Sequence, residues 1–546
     1  MKRYITMILI CLGGFIWQGC SHFDDLNQNP YGVYDSSPAS FIQTITFQTQ
    51  SKILSTSYSM TSELMQHAMS ISTSESAILI YNYDCNASHA STFWDLYVQK
   101  ANAEAMLAEA KDFGNPALEA IALVLRTYVM QIITDVYGDV PYFQAGLMPV
   151  QPENNETNMK YDSQKEIYKD MLRTLEKANT LFQDENAADF SVALDNTYGG
   201  KKDSWRKFGN TLYLRLLMRV SLKVMEEDGG MLDLGEEYGT LDVKNKIAEI
   251  YDGYLNKNGN YPIFQSVEDR ALVHYNTLNR SYYTPFYTMT NTLFKQIAAC
   301  ATLVDALYIK DEAGKAVIAD PRLYYYFTKP LGLPVQRHSS EIQEFLDSHL
   351  TSLGNSAVGR YAAGSDGYGD LKQGESYSLM NWSEPLFIFA EAGCREWIPT
   401  GTKGTKELYL KACEASMMEW NLNDHSPASV APRGDFIAFL DANYDYDKAL
   451  ETIMHQKWIA SFWYGVEAWS DYRRTGYPIL KTNGPAALNN NILCTRMRYP
   501  YTEPYQNGKC YQEAVNGWLG GSDNMQTDVW FADTQESKSI RRKGRQ

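Results

Sequence analysis

The chain has 546 residues, 44% of them hydrophobic and 21% charged, with no heptad seam, collagen period or long low-complexity run, which excludes fibrous and disordered classes. Its 49 Lys and Arg against 65 Asp and Glu give a net charge of −16, which repels phosphate backbones and argues against a nucleic-acid partner. The compositional excess is aromatic, with 39 Tyr beside 21 Phe and 11 Trp, and tyrosine, apolar on its face and polar at its tip, suits half-wet binding surfaces as well as cores.

In chain order, Met1-Lys2-Arg3, the apolar stretch Ile5 to Trp17, and Gly19-Cys20 form the charged, apolar and small-residue pattern of an export signal over residues 1–19. A Cys directly after a small residue at that point resembles a lipobox, with Cys20 as the site of lipid attachment and the mature N-terminus, although Trp17 stands where such boxes carry Leu. Acyl chains contribute about 0.8 kcal/mol per buried methylene, so the expected product is membrane-anchored. Asp24 and Asp25 resemble the acidic signal that sends lipoproteins to the outer face of the outer membrane. Beyond Cys11 in the signal and Cys20, the six remaining cysteines, Cys85, Cys300, Cys394, Cys413, Cys494 and Cys510, show no CxxC spacing, so no zinc or redox motif is indicated.

Helical periodicity dominates the remainder. Leu118, Ile121, Leu125, Val129, Ile132 and Val136 form one stripe, stopped by Gly138, expected in a left-handed helix end, and Pro141. Ser163 to Glu166 reads as a capping box before a second stripe, Ile167 to Phe182, and Trp205, Phe208, Leu212, Leu216 and Val220 form a third. Further helices are predicted over about 38–68, 91–112, 378–397, 405–421 and 447–474. The predicted fold is all-α: tetratricopeptide-like helix pairs in a superhelical scaffold, mainly 38–223 and 378–480, within a single domain spanning 20–546. An irregular, Gly-, Asn-, Ser- and Tyr-rich middle, 225–377, is the expected ligand-facing part, and a basic tail over 536–546 is expected to be disordered.

Standard catalytic motifs are missing: no HExxH, no GxSxG, no P-loop. Eight scattered His and an Asp25 loop with Pro30 and Ser36 at the decisive EF-hand positions indicate no metal, and no cofactor is indicated. An exported glycoside hydrolase would need two acids roughly 5 to 9.5 Å apart. Glu384 and Glu391, seven residues apart on one predicted helix face, stand about 10.5 Å apart along the axis. Their helix is apolar nearly all round, so they are expected to pair internally, with Arg473 and Arg474 as partners by charge.

Asp24 to Pro30, Asp135 to Tyr142, Tyr198 to Leu216, Ser383 to Ala392 and Trp469 to Pro478 form five ordered segments. Together they resemble the SusD/RagB family of outer-membrane nutrient-binding lipoproteins, in its SusD-like subgroup. Each reads locally as a cap, stop or helix core, a marker of fold and not of a ligand site. Pro385 inside the fourth segment and the basic tail depart from the family pattern.

The resemblance implies a non-enzymatic cell-surface protein that captures oligosaccharides and delivers them to a TonB-dependent SusC-like transporter. Peptide capture, as by RagB-like members, is the alternative, and a glycoside hydrolase a more distant one. The resemblance also implies that stacking aromatics with polar neighbours form the ligand site, because a pyranose C–H face packs on a ring while Asn, Asp or Arg bond its hydroxyls. Ligand-binding candidates are Tyr81, Asn82, Tyr83 and Asp84 in the loop after the first helix, then Tyr282, Tyr283, Tyr361 and Tyr368. Trp94 and Trp382 are read as core.

Overall fold

A computed structural model describes residues 37–70, 80–83, 87–147, 150, 158–275, 283–285, 297–310, 316–326, 332–338, 340–341, 344, 376–420 and 431–546. Among these, helices of seven residues or more are α1 (Ser40–Thr56), α2 (Tyr97–Phe113), α3 (Pro116–Tyr137), α4 (Gln164–Leu181), α5 (Lys202–Asp228), α6 (Val243–Asn256) and α7 (Ala301–Leu307). They continue with α8 (Ser383–Cys394), α9 (Gly401–Met418), α10 (Arg433–Ala442), α11 (Ala449–Ala460), α12 (Gly465–Thr475), α13 (Gly508–Asn516) and α14 (Gln535–Lys543). Strands are short and pair only in antiparallel twos, such as Ala68–Ser70 with Ile297–Ala299 and Leu272–His274 with Ser376–Ser378. The all-α expectation holds.

Local chemistry sets the first helix pair. Gly114, at φ +80°, ends α2; the Asn115 side chain then accepts from the Ala117 N–H (3.1 Å) and Pro116 opens α3, so two residues reverse the chain. Nearly every residue of α3 is buried, as suits a central helix covered by α2 on one side and α4 on the other. Each helix from α2 to α6 packs on the next, α8 packs on α9 and α11, and α5 touches α8 and α12, closing the helical body.

Several expectations are corrected. Gly138 has φ +87° and ψ −125°, outside the left-handed helical region, and a side chain there would meet the Trp518 ring at 2.4 Å, so glycine is required for close approach as well. Ser163 caps α4 through the Glu166 N–H (3.4 Å), but Glu166 pairs with Lys169 (3.0 Å), so the interaction is a one-sided cap. The segment 447–474 is two helices: Ser461–Tyr464 break it, with Trp463 at φ +69°. Ser57 Oγ donates to the Trp463 carbonyl (2.8 Å) and accepts from the Gly465 N–H (3.2 Å), compensating the lost helical bonds. The basic tail is ordered as α14: Thr534 caps it, Arg541 pairs with Asp528 (2.7 Å) and Ser537 Oγ bonds the Arg473 carbonyl, seating it on α12. Trp382 is buried as expected, and Trp94 is half-buried against Tyr137, ring centroids 5.0 Å apart.

The core is apolar but threaded by guanidinium–carboxylate pairs. Arg215 on α5 forms a bidentate pair with Glu384 on α8 (2.5 and 2.6 Å), while Arg219, one turn on, binds Glu467 on α12 and reaches Asp135 on α3 (3.6 Å). Arg474 on α12 forms a second bidentate pair with Glu391 on α8 (2.7 and 2.6 Å) and also bonds Asp471 (3.0 Å); both members of the main pair are fully buried. Thus Glu391 pairs with Arg474 as expected, whereas Glu384 takes Arg215. Arg473 instead lies over the Trp469 ring (3.8 Å) and donates to the Asp135 and Thr495 carbonyls. Despite burial, Arg474 and Arg395 hold the Glu391 carboxyl down at about 2.

Breaking a buried pair strands a charge, so Arg474→Ala is expected to destabilise the protein by about 3–5 kcal/mol in denaturant titrations. An Arg474→Met, Glu391→Leu double variant should recover much of that loss.

Candidate ligand-binding site

The segment after α1 is held by a buried acid. A π-helical turn, Ser57–Thr61, and the short helix Ser62–Leu64 carry Glu63, which is 4% exposed and accepts from the Ser70 N–H (3.0 Å) and the Tyr81 N–H (3.2 Å). Both ends of the intervening segment are therefore fixed to one carboxyl. Burial raises Glu63 from 4.5 to about 8, against the opposing pull of these backbone donors.

Tyr81, Asn82 and Tyr83 do not present a ligand platform here: all are buried, and the reading of them as exposed stacking residues is corrected. Tyr81 packs in a small cluster with Met69, Ala298, Cys300 and Leu333. Asn82 Nδ2 donates to the Arg337 carbonyl (3.2 Å) and its own carbonyl accepts from the Leu488 N–H (2.8 Å). Tyr83, at φ +66°, accepts from Gln336 Nε2 (2.9 Å), which also donates to the Lys481 carbonyl (3.0 Å). The physical reason is that three separate strips of chain meet here, each needing partners for its polar backbone. These residues are anchors. Tyr283 is half-buried, and Asp84, Tyr282, Tyr361, Tyr368 and Cys20 lie outside the described residues.

A cavity of about 690 Å³ opens where the irregular part meets the helical body, within the range of small-ligand sites. Thr302, Ala306, Ile309 and Val317 line it from α7 and the strand pair Tyr308–Lys310 with Ala316–Ala319, while α9, α10, α11 and Pro478–Leu480 form the opposite wall. Lys448, Glu451, Thr452 and His455 recur at helical spacing along one face of α11 and its N-cap, directing a polar stripe at this space. The Lys448 and Glu451 side chains have no hydrogen-bond or ion-pair partner among the described residues.

The aromatic members of the wall are Phe439, which is half-buried, and Tyr409 and Trp458, which are 2% and 3% exposed. Trp458 is locked by its Nε1–H to the Met65 carbonyl (3.0 Å), and the His455 ring lies 5.6 Å away at 34°. Burial and the Arg322 charge bring His455 down to about 4, so it is neutral at physiological pH and offers one donor and one acceptor. Arg322 is itself satisfied by Asp320 (2.6 Å), Ser416 (2.9 Å) and Gln456. The cavity thus combines hydroxyl, carboxylate, ammonium and imidazole groups beside fixed rings, a mixture suited to a neutral polyhydroxylated ligand. Sequence reasoning missed these residues; the stripe on α11 is legible as a polar helix face, but such faces usually meet solvent.

The two acids considered for glycoside hydrolysis are both committed to guanidinium groups, Glu384 to Arg215 and Glu391 to Arg474. Neither is positioned as a free acid or base. Among the described residues no group of three or more His, Cys, Asp or Glu forms a metal cluster, and Cys300, Cys394 and Cys413 are free thiols.

A family profile described as starch-binding and associating with the outer membrane matches residues 30–500. The chain belongs to the SusD-like family. No curated protein sequence matches it. Among solved structures, a SusD homologue from Bacteroides fragilis superposes with a TM-score of 0.68 at 23% identity, covering 91% of this chain and 100% of that one. A chitin-binding SusD homologue from Flavobacterium johnsoniae gives 0.66 at 23% identity, covering 92% and 98%. A SusD homologue from Bacteroides thetaiotaomicron gives 0.64 at 22% identity, covering 91% and 99%. At these identities the structural likeness establishes a shared SusD-like fold.

The Glu63 clamp has a pH signature. Between about 4.5 and about 8 the unfolded chain has lost the proton that folded Glu63 retains, so this group's contribution to stability falls as pH rises through that window and levels off above it. Comparing thermal midpoints across pH 5 to 8.5, Glu63→Gln should remove this component, leaving a flatter profile than that of the parent chain.

Proposed function

We propose that this SusD-like protein is a cell-surface carbohydrate-binding lipoprotein. It captures oligosaccharides and passes them to a TonB-dependent SusC-like outer-membrane transporter, with no covalent chemistry of its own. The observation that carries the reading is the cavity between irregular part and helical body, where Lys448 and Glu451, unpartnered among the described residues, and neutral His455 stand on the same wall as the half-buried Phe439 ring. Sugar recognition needs a ring for C–H faces and convergent polar groups for hydroxyls, and this wall offers Phe439 for the one and Lys448, Glu451, Thr452 and His455 for the other. The family description as starch-binding and the chitin-binding relative from Flavobacterium johnsoniae support the same ligand class. Tyr283, with Asp84, Tyr282, Tyr361 and Tyr368 on the sequence argument alone, supplies further contacts. Attachment through the lipidated Cys20 places the molecule on the exterior face of the outer membrane, where captured glycan is next to its transporter.

Calorimetric titration with maltohexaose, chitohexaose and a peptide digest tests the cargo. Saturable binding of an oligosaccharide without release of new reducing ends is expected, and binding of peptides alone would overturn the carbohydrate reading. Glu451→Ala and Lys448→Ala should each weaken oligosaccharide binding about tenfold with an unchanged thermal midpoint, since neither side chain holds another element. In cells, Cys20→Ala should move the protein from the membrane to the soluble fraction without loss of fold; full retention in the membrane would count against the anchor.

A further inference from the structure

A second cavity, of about 560 Å³, lies between the end of α8, the start of α9 and the connection from α10 to α11. It shares no lining residue with the first: Ala449 borders this one, while Lys448, Glu451 and Thr452 border the other. Its walls carry Trp397, Tyr444 and Tyr446, with Glu396 and Thr402 as polar members.

The backbone beneath Glu396 makes that residue a costly choice. Helix α8 closes with the Trp397 N–H bonded to the Ala392 carbonyl (2.8 Å) and the Glu396 N–H to the Gly393 carbonyl (3.1 Å), the paired pattern that puts one residue in left-handed conformation. That residue is Glu396, at φ +59°, where glycine is usual and any other side chain strains the backbone. The Glu396 side chain offsets none of this within the fold. It is exposed and makes no hydrogen bond or ion pair with the described residues. What the strained turn achieves is a free carboxylate at the cavity rim next to the Trp397 indole.

The other groups point to what that carboxylate would meet. Tyr444 and Tyr446 stand edge to face with centroids 5.0 Å apart at 82°; Tyr446 is 54% exposed, and the buried Tyr444 hydroxyl has no hydrogen-bond partner among the described residues. Lys406 lies within cation–π reach of both rings (5.9 and 5.7 Å) and is held by Asp441 (2.7 Å). Arg395 lies over Trp397 (5.6 Å) and is held by Glu391 and Glu536. The rings thus already have resident cations at cation–π distance, so a further cation gains less from them than it would from vacant rings. A neutral ligand with many hydroxyls suits the site: it can stack on an open ring, donate to Glu396 and satisfy the Tyr444 hydroxyl.

We propose that this pocket is a second carbohydrate site, independent of the first, which binds a neutral pyranose unit through Trp397, Tyr446 and the Glu396 carboxylate. It rests on the carbohydrate reading above and adds a second point of attachment to the same polymer, so that a long glycan gains affinity by occupying both.

The test is Glu396→Gly in the purified full chain, titrated with maltohexaose and chitohexaose beside the parent protein and the Glu451→Ala variant. The parent should bind one of these sugars at two sites per chain. Glu396→Gly and Tyr446→Ala should each weaken only one of them, by tenfold or more. Glu396→Gly should also keep or raise the thermal midpoint, because glycine relieves the left-handed turn, so lost binding cannot be ascribed to misfolding. A single site that Glu451→Ala weakens and Glu396→Gly leaves untouched would overturn this proposal while the proposed function stands. Absence of binding to either sugar by the parent would overturn both. Saturable binding of choline at Glu396, with no sugar competing, would replace the sugar by a cation.

Discussion

The helical body depends on charge pairs that no single helix can satisfy. Arg215 and Arg219 on α5, Glu384 and Glu391 on α8, Glu467, Asp471 and Arg474 on α12, and Asp135 on α3 are all taken from water when those helices pack. A stranded buried charge costs several kcal/mol, whereas a bidentate guanidinium–carboxylate pair recovers that cost only in one geometry. The lattice therefore acts on specificity: it admits one register of four helices, distant in sequence, and penalises alternatives that an apolar core would tolerate.

That constraint explains the character of the recurrent segments. Arg215, Glu384, Glu391 and Arg474 sit in three of the five stretches that resemble the family pattern, and their side chains find one another in the core, Arg215 with Glu384 and Arg474 with Glu391. These four are markers of fold because each supplies one half of a pair completed by another segment. The two cavities that the rigid body frames on either side of the N-terminus of α11 are lined, apart from Pro478, by residues outside those stretches.

Much of the scaffold was legible in the sequence. The stripes of α3, α4 and α5 and the Ser163 cap are local signals, determined within a few residues by hydrogen-bond supply and helical period. The misses share a cause. Tyr81, Asn82 and Tyr83 look like a binding loop because polar aromatic runs suit wet surfaces, yet Glu63, Gln336 and the strip from Lys481 to Leu488, remote in sequence, bury them. The tail after Thr534 looks solvated until Asp528 neutralises Arg541 and α12 covers one face. The break between α11 and α12 is invisible in a continuous periodic pattern because Ser57, some four hundred residues earlier, holds it open.

By itself the sequence determined the all-α class, the family resemblance, the positions of most helices and the expectation of an exported, lipid-anchored protein, since these rest on periodicity, capping and short ordered motifs. Tertiary structure alone decided which carboxylate meets which guanidinium, which tyrosines are anchors, and where Lys448, Glu451, His455 and Glu396 come to line empty space. The reason is physical: helix formation is settled between residues three or four apart, whereas burial, desolvation and the shape of a cavity are properties of elements brought together from distant parts of the chain.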